Sequence, residues 1–380
     1  MKFIVTRNEL YKNLSAISGV LSTNNTMPIL DNFLFSVSGN KLTVTASDLD
    51  CTMSAEIELS NVEGEGSVAV PHKTLMETLK LMSDTPIVFL TETDGDNVNL
   101  KFSVPEGEYN GHCFSGNEYP AAKELGENSK SFEIDAPILY KAISKTLFAT
   151  GTDDLRPTMM GVYCELGEND ITFVATDAHK LVKYQSNAVQ TVDPTSFILP
   201  KKPLQQLKGV IAGSSEKVRV DYAKDNNYIR FSFGNVVLYS SLKEGTYPNY
   251  NAVIPANNDK RFVVAREAFL QCIRRVGIYA NQSTYQIRVS MNSEITNITA
   301  EDIDYSNKAH ESITGVYTGE PMDIGFNAKF LREILDNIDS DEIQLDMSLP
   351  NRAALISPVN QAADTPEHLL MLIMPVMLNN

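Results

Sequence analysis

The sequence has no uninterrupted apolar stretch approaching the roughly 18 residues that a membrane-spanning helix needs. Its four cysteines (Cys51, Cys113, Cys164 and Cys272) are far apart and form no CxxC pair, which argues against a zinc site and a secreted disulfide framework. Five histidines (His72, His112, His179, His310 and His368) give neither HxH nor HExxH. There is no GxxxxGK[ST] phosphate loop and no GxSxG nucleophile elbow. The opening MKFIVTRNEL meets polar and acidic residues at once, unlike a signal peptide, so a cytoplasmic protein is expected. A basic balance is missing too: the formal net charge is −16, which on its face speaks against nucleic acid.

What is present is a repeat. Length alone allows two or three domains, and one pattern recurs about every 125–130 residues. An extended segment runs into an amphipathic helix at Phe3, Phe132 and Phe262. A strand with an acidic end follows, TVTASDLD at Asp48, TFVATDAHK at Asp177 and NITAEDID at Asp302. A second strand-to-helix step then leads into alternating strands. Asp48 to Asp177 and Pro71 to Pro200 are each 129 residues, and Phe132 to Phe262 is 130. The polar junctions 121–130 and 251–260 suit short linkers. The pattern predicts an α+β protein of three repeated domains, 1–122, 130–252 and 258–380, each with two helices on antiparallel sheet.

Charge is distributed unevenly over this repeat. Residues 6–21, 72–82, 136–150, 201–212, 265–280 and 327–338, the six expected helices, hold 14 Lys/Arg against 5 Asp/Glu, whereas the remainder holds 18 against 43. Glu forms helices as readily as Lys, so propensity does not account for its scarcity there. Apolar rows Leu75/Leu79/Met82 and Leu204/Leu207/Ile211 leave Lys73/Lys80 and Lys201/Gln205/Lys208 on the opposite, solvent-facing rows. Helices facing a polyanion and an acidic coat facing water would bind duplex DNA through its backbone, without base readout.

MKF at the start, TMPIL (26–30), DLD (48–50), VATDAHKL (174–181), YPNY (247–250), IGFN (324–327) and MPVML near the end resemble the sliding clamps, the β subunits of bacterial DNA polymerase III, over essentially the whole chain. The resemblance implies a non-enzymatic processivity factor without cofactor. It would be a head-to-tail homodimer whose six clamp-type domains close a ring lined by twelve helices, tethering the replicative polymerase to DNA. An ATP-driven loader would open it, since the chain has no phosphate loop of its own. Other replication and repair proteins would insert a short peptide into a hydrophobic pocket between the second and third domains. The matching positions are Arg156, Met159, Thr176, Ala178, His179, Lys180, Leu181, Pro248, Val253, Leu372, Met374 and Val376. Methionine, leucine and valine would supply a deformable cleft, with Thr176, His179 and Lys180 as polar anchors. For DNA the matching positions are Asn24, Lys201 and Lys202, and the charge pattern alone adds Lys73, Arg275 and Lys329. The ring interface would join an edge near Tyr109 to Phe114 with a segment near Ile278 and Tyr279. Ala178 stands where many relatives have Gly, Ala252 where many have a basic residue, and Asn24 where arginine is common. The chain also runs two residues past the usual end, to Asn379 and Asn380.

Two other readings are open to the same residues. Asp177 and His179 share one side of a strand end and could serve a metal-dependent hydrolase or nuclease, as could the carboxylates of Asp48 and Asp50. A pocket-rim histidine and solvated strand-end acids are the plainer interpretation. A peptide-binding scaffold without a DNA role would leave the helix charge without a purpose.

Overall fold

The computed structural model describes all residues except 23–26, 95–96, 127, 190–193, 224–226, 360, 362–364 and 379–380, and the side chains of 93, 94 and 97. Asn24, Asn379 and Asn380 therefore lie outside the described residues.

The chain traces one order of elements three times, save for a short strand that only the first and third passes have among the described residues. The first pass is β1 (Lys2–Thr6), α1 (Arg7–Ile17), β2 (Asn32–Ser38), β3 (Lys41–Ser47), β4 (Cys51–Glu58), β5 (Val62–Glu63), β6 (Gly66–Pro71), α2 (His72–Leu81), β7 (Pro86–Asp94), β8 (Asn97–Val104) and β9 (Gly107–Ser115). The second is β10 (Lys130–Asp135), α3 (Ala136–Thr146), β11 (Gly161–Leu166), β12 (Ile171–Thr176), β13 (Lys180–Ser186), β14 (Thr195–Pro200), α4 (Lys201–Ile211), β15 (Lys217–Ala223), β16 (Tyr228–Phe233) and β17 (Val236–Ser241). The third is β18 (Lys260–Ala265), α5 (Arg266–Gly277), β19 (Gln286–Met291), β20 (Thr296–Asp302), β21 (Asn307–Ile313), β22 (Val316–Thr318), β23 (Met322–Asn327), α6 (Ala328–Asp336), β24 (Glu342–Met347), β25 (Ala354–Pro358) and β26 (Glu367–Ile373). All six expected helices form, and no described helix is long and apolar enough to cross a membrane.

The repeat landmarks have physical causes. Phe3, Phe132 and Phe262 are all buried, each anchoring the strand that enters a helix. The recurring aspartate builds a turn. Asp48 Oδ1 accepts from the Cys51 amide at 2.8 Å. Asp177 Oδ1 accepts from the His179 and Lys180 amides at 2.9 and 2.8 Å. Asp302 Oδ1 accepts from the Asp304 amide at 3.1 Å. Satisfying its own backbone two or three residues on is why an aspartate recurs here. Asp48 is mostly buried rather than solvated, because Lys202 is paired with it.

Compactness follows units that differ from the repeats: 1–140 with 202–242, and 141–201 with 243–380. In the first unit a 13-stranded sheet passes from the central repeat into the first through the β17–β4 ladder, Val236↔Ala55 to Ser240↔Cys51. In the second, a 9-stranded sheet passes from the central repeat into the third through β13–β26, Lys180↔Ile373 to Ser186↔Glu367. A four-stranded sheet in the order β21-β20-β19-β23 completes that unit.

An aromatic ladder marks the first unit. Phe3 stacks on Phe89 at 5.0 Å between ring centroids, Phe89 on Phe102 at 5.4 Å, and Phe102 on Tyr109 at 4.9 Å. Its inner members are buried and its last, Tyr109, is 38% exposed.

Candidate peptide pocket, basic helices and open sheet edges

The Asp177–Lys180 turn joins β12 to β13 and sets one wall of the pocket expected in the second unit. The Thr176 hydroxyl donates to the Lys180 carbonyl at 2.8 Å and accepts from the Ala178 amide at 3.1 Å. Thr176 thus organises the turn, and its hydroxyl is spent there instead of reaching a ligand. Lys180 is likewise no surface anchor: it is buried, ion-paired to Asp177 and to Glu333 of α6 at 3.0 Å, with Nζ 4.7 Å from the centre of the Phe330 ring. His179 is exposed but stacks on Phe330 at 5.3 Å. Asp177 has both carboxylate oxygens engaged, by two amides and by Lys180, so it is not poised as a general base.

Ala178 takes φ +74°, the left-handed region that disfavours a Cβ, and Leu49 takes +78° at the matching turn of the first repeat. Both side chains are exposed, so little packing is lost with them. Ala178→Gly is expected to stabilise the fold by about 0.5–1 kcal/mol, the left-handed penalty less the extra chain entropy of glycine. A higher denaturation midpoint in urea tests this, and a lower one refutes it.

Beside this turn four segments converge. The Met374 amide donates to the His179 carbonyl at 2.8 Å, bringing the tail to the turn. The Gly151 amide donates to the Met159 carbonyl at 2.8 Å, and a Cβ on Gly151 would lie 3.7 Å from Asp177 Cα, bringing the short helix Pro157–Met160 to the same place. Gly245 approaches Thr158 within 2.9 Å of a would-be Cβ, which brings in the 245–253 segment. The floor is a cluster of Val174, Leu181, Ile198, Tyr247, Tyr250, Ala353 and Leu372, with Tyr163 stacked on Tyr247 at 4.8 Å. Pro248, Met159 and Val376 are half-buried, while Val253 and Met374 remain 53% and 40% exposed. Arg156 is exposed, 3.7 Å from Asp153.

The tail is held by Gly325, part of the IGFN motif. Val376 bridges to it, its amide donating to the Gly325 carbonyl at 2.9 Å. A Cβ there would fall 2.5 Å from the Val376 carbonyl oxygen and 2.8 Å from Leu378 Cδ2. Only glycine lets the tail lie so close.

Comparison with known proteins bears on what such a chain is. The N-terminal domain model of the DNA polymerase III beta subunit matches residues 1–123, the central domain model 133–249 and the C-terminal domain model 251–375. The chain belongs to the DNA polymerase III beta subunit family. It is 27% identical to the beta sliding clamp of Synechococcus elongatus over the whole of both chains, and 26% identical to that of Pseudomonas putida over 94% of this chain and 95% of that one. Sliding-clamp crystal structures from Pseudomonas aeruginosa (26% identity, TM-score 0.91) and Bartonella birtlesii (27%, 0.91) superpose over 100% of both chains.

The basic helices of this family member are less bare than their composition suggests. Lys145 of α3 does not face solvent: it is buried, donating to the Asn337 carbonyl at 2.7 Å and paired with Asp339 at 2.6 Å. Lys202 is held by Asp48 and the Val20 carbonyl. Arg275 forms a two-pronged pair with Glu311 at 2.8 and 2.7 Å, which holds the Glu311 carboxyl below its usual range. Lys329 is exposed with its ammonium 3.4 Å from the centre of the Tyr285 ring. Lys12, Lys73, Lys80 and Arg332 are exposed, and Lys201 is half-buried.

No three described His, Cys, Asp or Glu residues converge as metal ligands. All four cysteines are buried and free; burial pushes the Cys51 and Cys272 thiols up to about 12 and that of Cys113 to about 11. Such thiols are poor nucleophiles at neutral pH.

Of the strand edges left open among the described residues, two lie beside the expected interface positions. β9 pairs with β8 from Gly107 to Cys113 but meets β6 only at Phe114 and Ser115. β21 ends its sheet with β20 as its sole neighbour. Tyr109 and Phe114 lie on the first edge. Ile278 and Tyr279, 69% and 44% exposed, follow α5, whose contacts include β21. Sequence patterning missed β21 itself and the neighbouring turn, where Ile303 and Tyr305 are 84% and 73% exposed. Asn281 Nδ2 links that turn to the Tyr279 loop through Asp302 at 3.5 Å.

Proposed function

We infer that this protein is a DNA polymerase processivity factor: a non-catalytic sliding clamp, closed as a head-to-tail dimer around duplex DNA in the cytoplasm. The observation that carries this reading is the unbroken succession of three beta-subunit domains along one chain with a threefold repeat of elements. Topology gives such a ring its residence on DNA. Its helices then need only loose, screened contacts with phosphate, which permit sliding without sequence preference. The acidic remainder of the surface repels DNA elsewhere.

The cleft of Met159, Leu181, Pro248, Val253, Leu372, Met374 and Val376 takes an apolar peptide from the replicative polymerase or another replication or repair protein. Methionine-rich walls adapt to different partners. His179 and Arg156 are the polar groups left at its rim, since Thr176 and Lys180 serve the fold. An ATP-driven loader opens the ring.

The deciding experiment follows loaded protein on nicked circular and linearised DNA. Retention on the circle and rapid loss from the linear form support the clamp; equal loss from both refutes it. Lys73→Glu with Lys201→Glu is expected to shorten retention on the circle. It should also lower the log–log salt slope of binding by about 2, roughly one per phosphate contact removed. Lys202→Glu would instead disturb the turn at Asp48, and is a poorer probe.

A further inference from the structure

The open edges of β9 and β21 carry a chemistry that neither DNA nor peptide binding uses. Leu100 and Phe102 of β8 are buried and stand opposite Gly111 and Tyr109 of β9, so odd-numbered β9 residues lie on the buried face and Glu108, Asn110 and His112 on the other. On β21, Ile313 is buried and Glu311 reaches Arg275 of α5, so Lys308, His310 and Ser312 lie on the face away from that helix. An antiparallel junction that keeps like faces together must pair even residues with even residues. The register that uses the whole of both edges sets Asn110 opposite His310 and His112 opposite Lys308, with His112 and His310 diagonal neighbours.

We propose that ring closure is acid-labile: β9 of one copy joins β21 of the next, and protonation of His112 and His310 along that seam drives the copies apart. The proposal rests on the dimeric ring. Three carboxylates on this face are already committed, Glu108 to Lys101 at 2.9 Å, Glu301 to Lys308 at 4.0 Å and Asp323 to Arg288 at 3.0 Å. The groups facing His112 are Asn99 opposite on β8, Lys101 diagonally and, a strand further away, Glu92 on β7. Those facing His310 are Thr299 opposite on β20, Glu301 diagonally and Arg288 on β19. Protons added there meet Lys308 and each other, while Glu301 is shared with Lys308 and Glu92 lies a strand away. Like charges set across or diagonal on a sheet repel.

The sign follows directly. The closed ring disfavours the protonated imidazoles and separated copies accept them, so acidification weakens closure. A ring has two such seams, so the effect counts twice.

The test is sedimentation of the full chain over a dilution series at about pH 8 and about pH 5.5, at fixed ionic strength. We expect the dimer dissociation constant to rise about tenfold at the lower pH, and His112→Gln with His310→Gln to abolish that rise. Both side chains are exposed, so the fold should tolerate the exchange. A dissociation constant that does not change with pH, or a double variant that keeps the wild-type slope, overturns the proposal while leaving the ring intact. A chain that is monomeric at micromolar concentration even at about pH 8 overturns the ring reading and this proposal with it.

Discussion

Ile278→Ser with Tyr279→Ser should leave the protein a monomer of 42.0 kDa where the unaltered chain sediments at twice that mass. Both side chains project largely into solvent from the end of α5, and neither belongs to a core within its own unit. Removing them therefore costs the isolated chain little. Burying a large apolar side chain contributes about 1.5–3 kcal/mol, and a head-to-tail ring of two copies buries each of these residues at both seams. Scaled by the exposed fractions of Ile278 and Tyr279, 69% and 44%, the lost association energy is about 3–7 kcal/mol over the two seams, which raises the dimer dissociation constant at least about 100-fold. Tyr109→Ser, at the exposed end of the aromatic ladder, should act in the same direction from the other side of the seam. A double variant that stays dimeric, with unchanged circular dichroism, would place the interface elsewhere.

Gly325→Val carries the second large effect. The new side chain would overlap the Val376 carbonyl and Leu378, and the tail from Met374 to Leu378 would be displaced. With the tail go Met374 and Val376, two of the apolar groups around the cleft. Anchors of this kind are worth about 1–2 kcal/mol each, so affinity for a polymerase-derived peptide should fall about 100-fold, as read by fluorescence anisotropy. Dimer mass and DNA retention should be untouched. Unchanged peptide affinity would show that the tail plays no part in recognition.

The sequence exposes those features that depend on neighbours along the chain. Each helix announces itself by an apolar row, and the repeated aspartate does so because it bonds amides two or three residues away. Pairings between distant residues stay hidden. Lys202 and Asp48 are 154 residues apart in the chain, and Lys145 and Asp339 are 194 apart. Both lysines count as free helix cations until the fold supplies their partners. Lys180 looks like a polar anchor for the same reason, its second carboxylate lying on α6. The open flank of β21 is equally illegible, since a strand becomes an edge only through the order of its sheet. Alternation and composition say nothing about that order.

The way the sheets straddle the repeats also governs when the chain can fold as it is made. The first unit is completed only by residues 202–242, which supply α4 after its first residue and the β15–β17 strands beside β4. A nascent chain of 140 residues therefore displays β4 with an unfilled flank, and must wait for about another hundred residues before that flank is covered. At roughly 5–20 residues per second the exposure lasts about 5–20 seconds, a window in which a holding chaperone on the ribosome would matter more than for three self-contained beads.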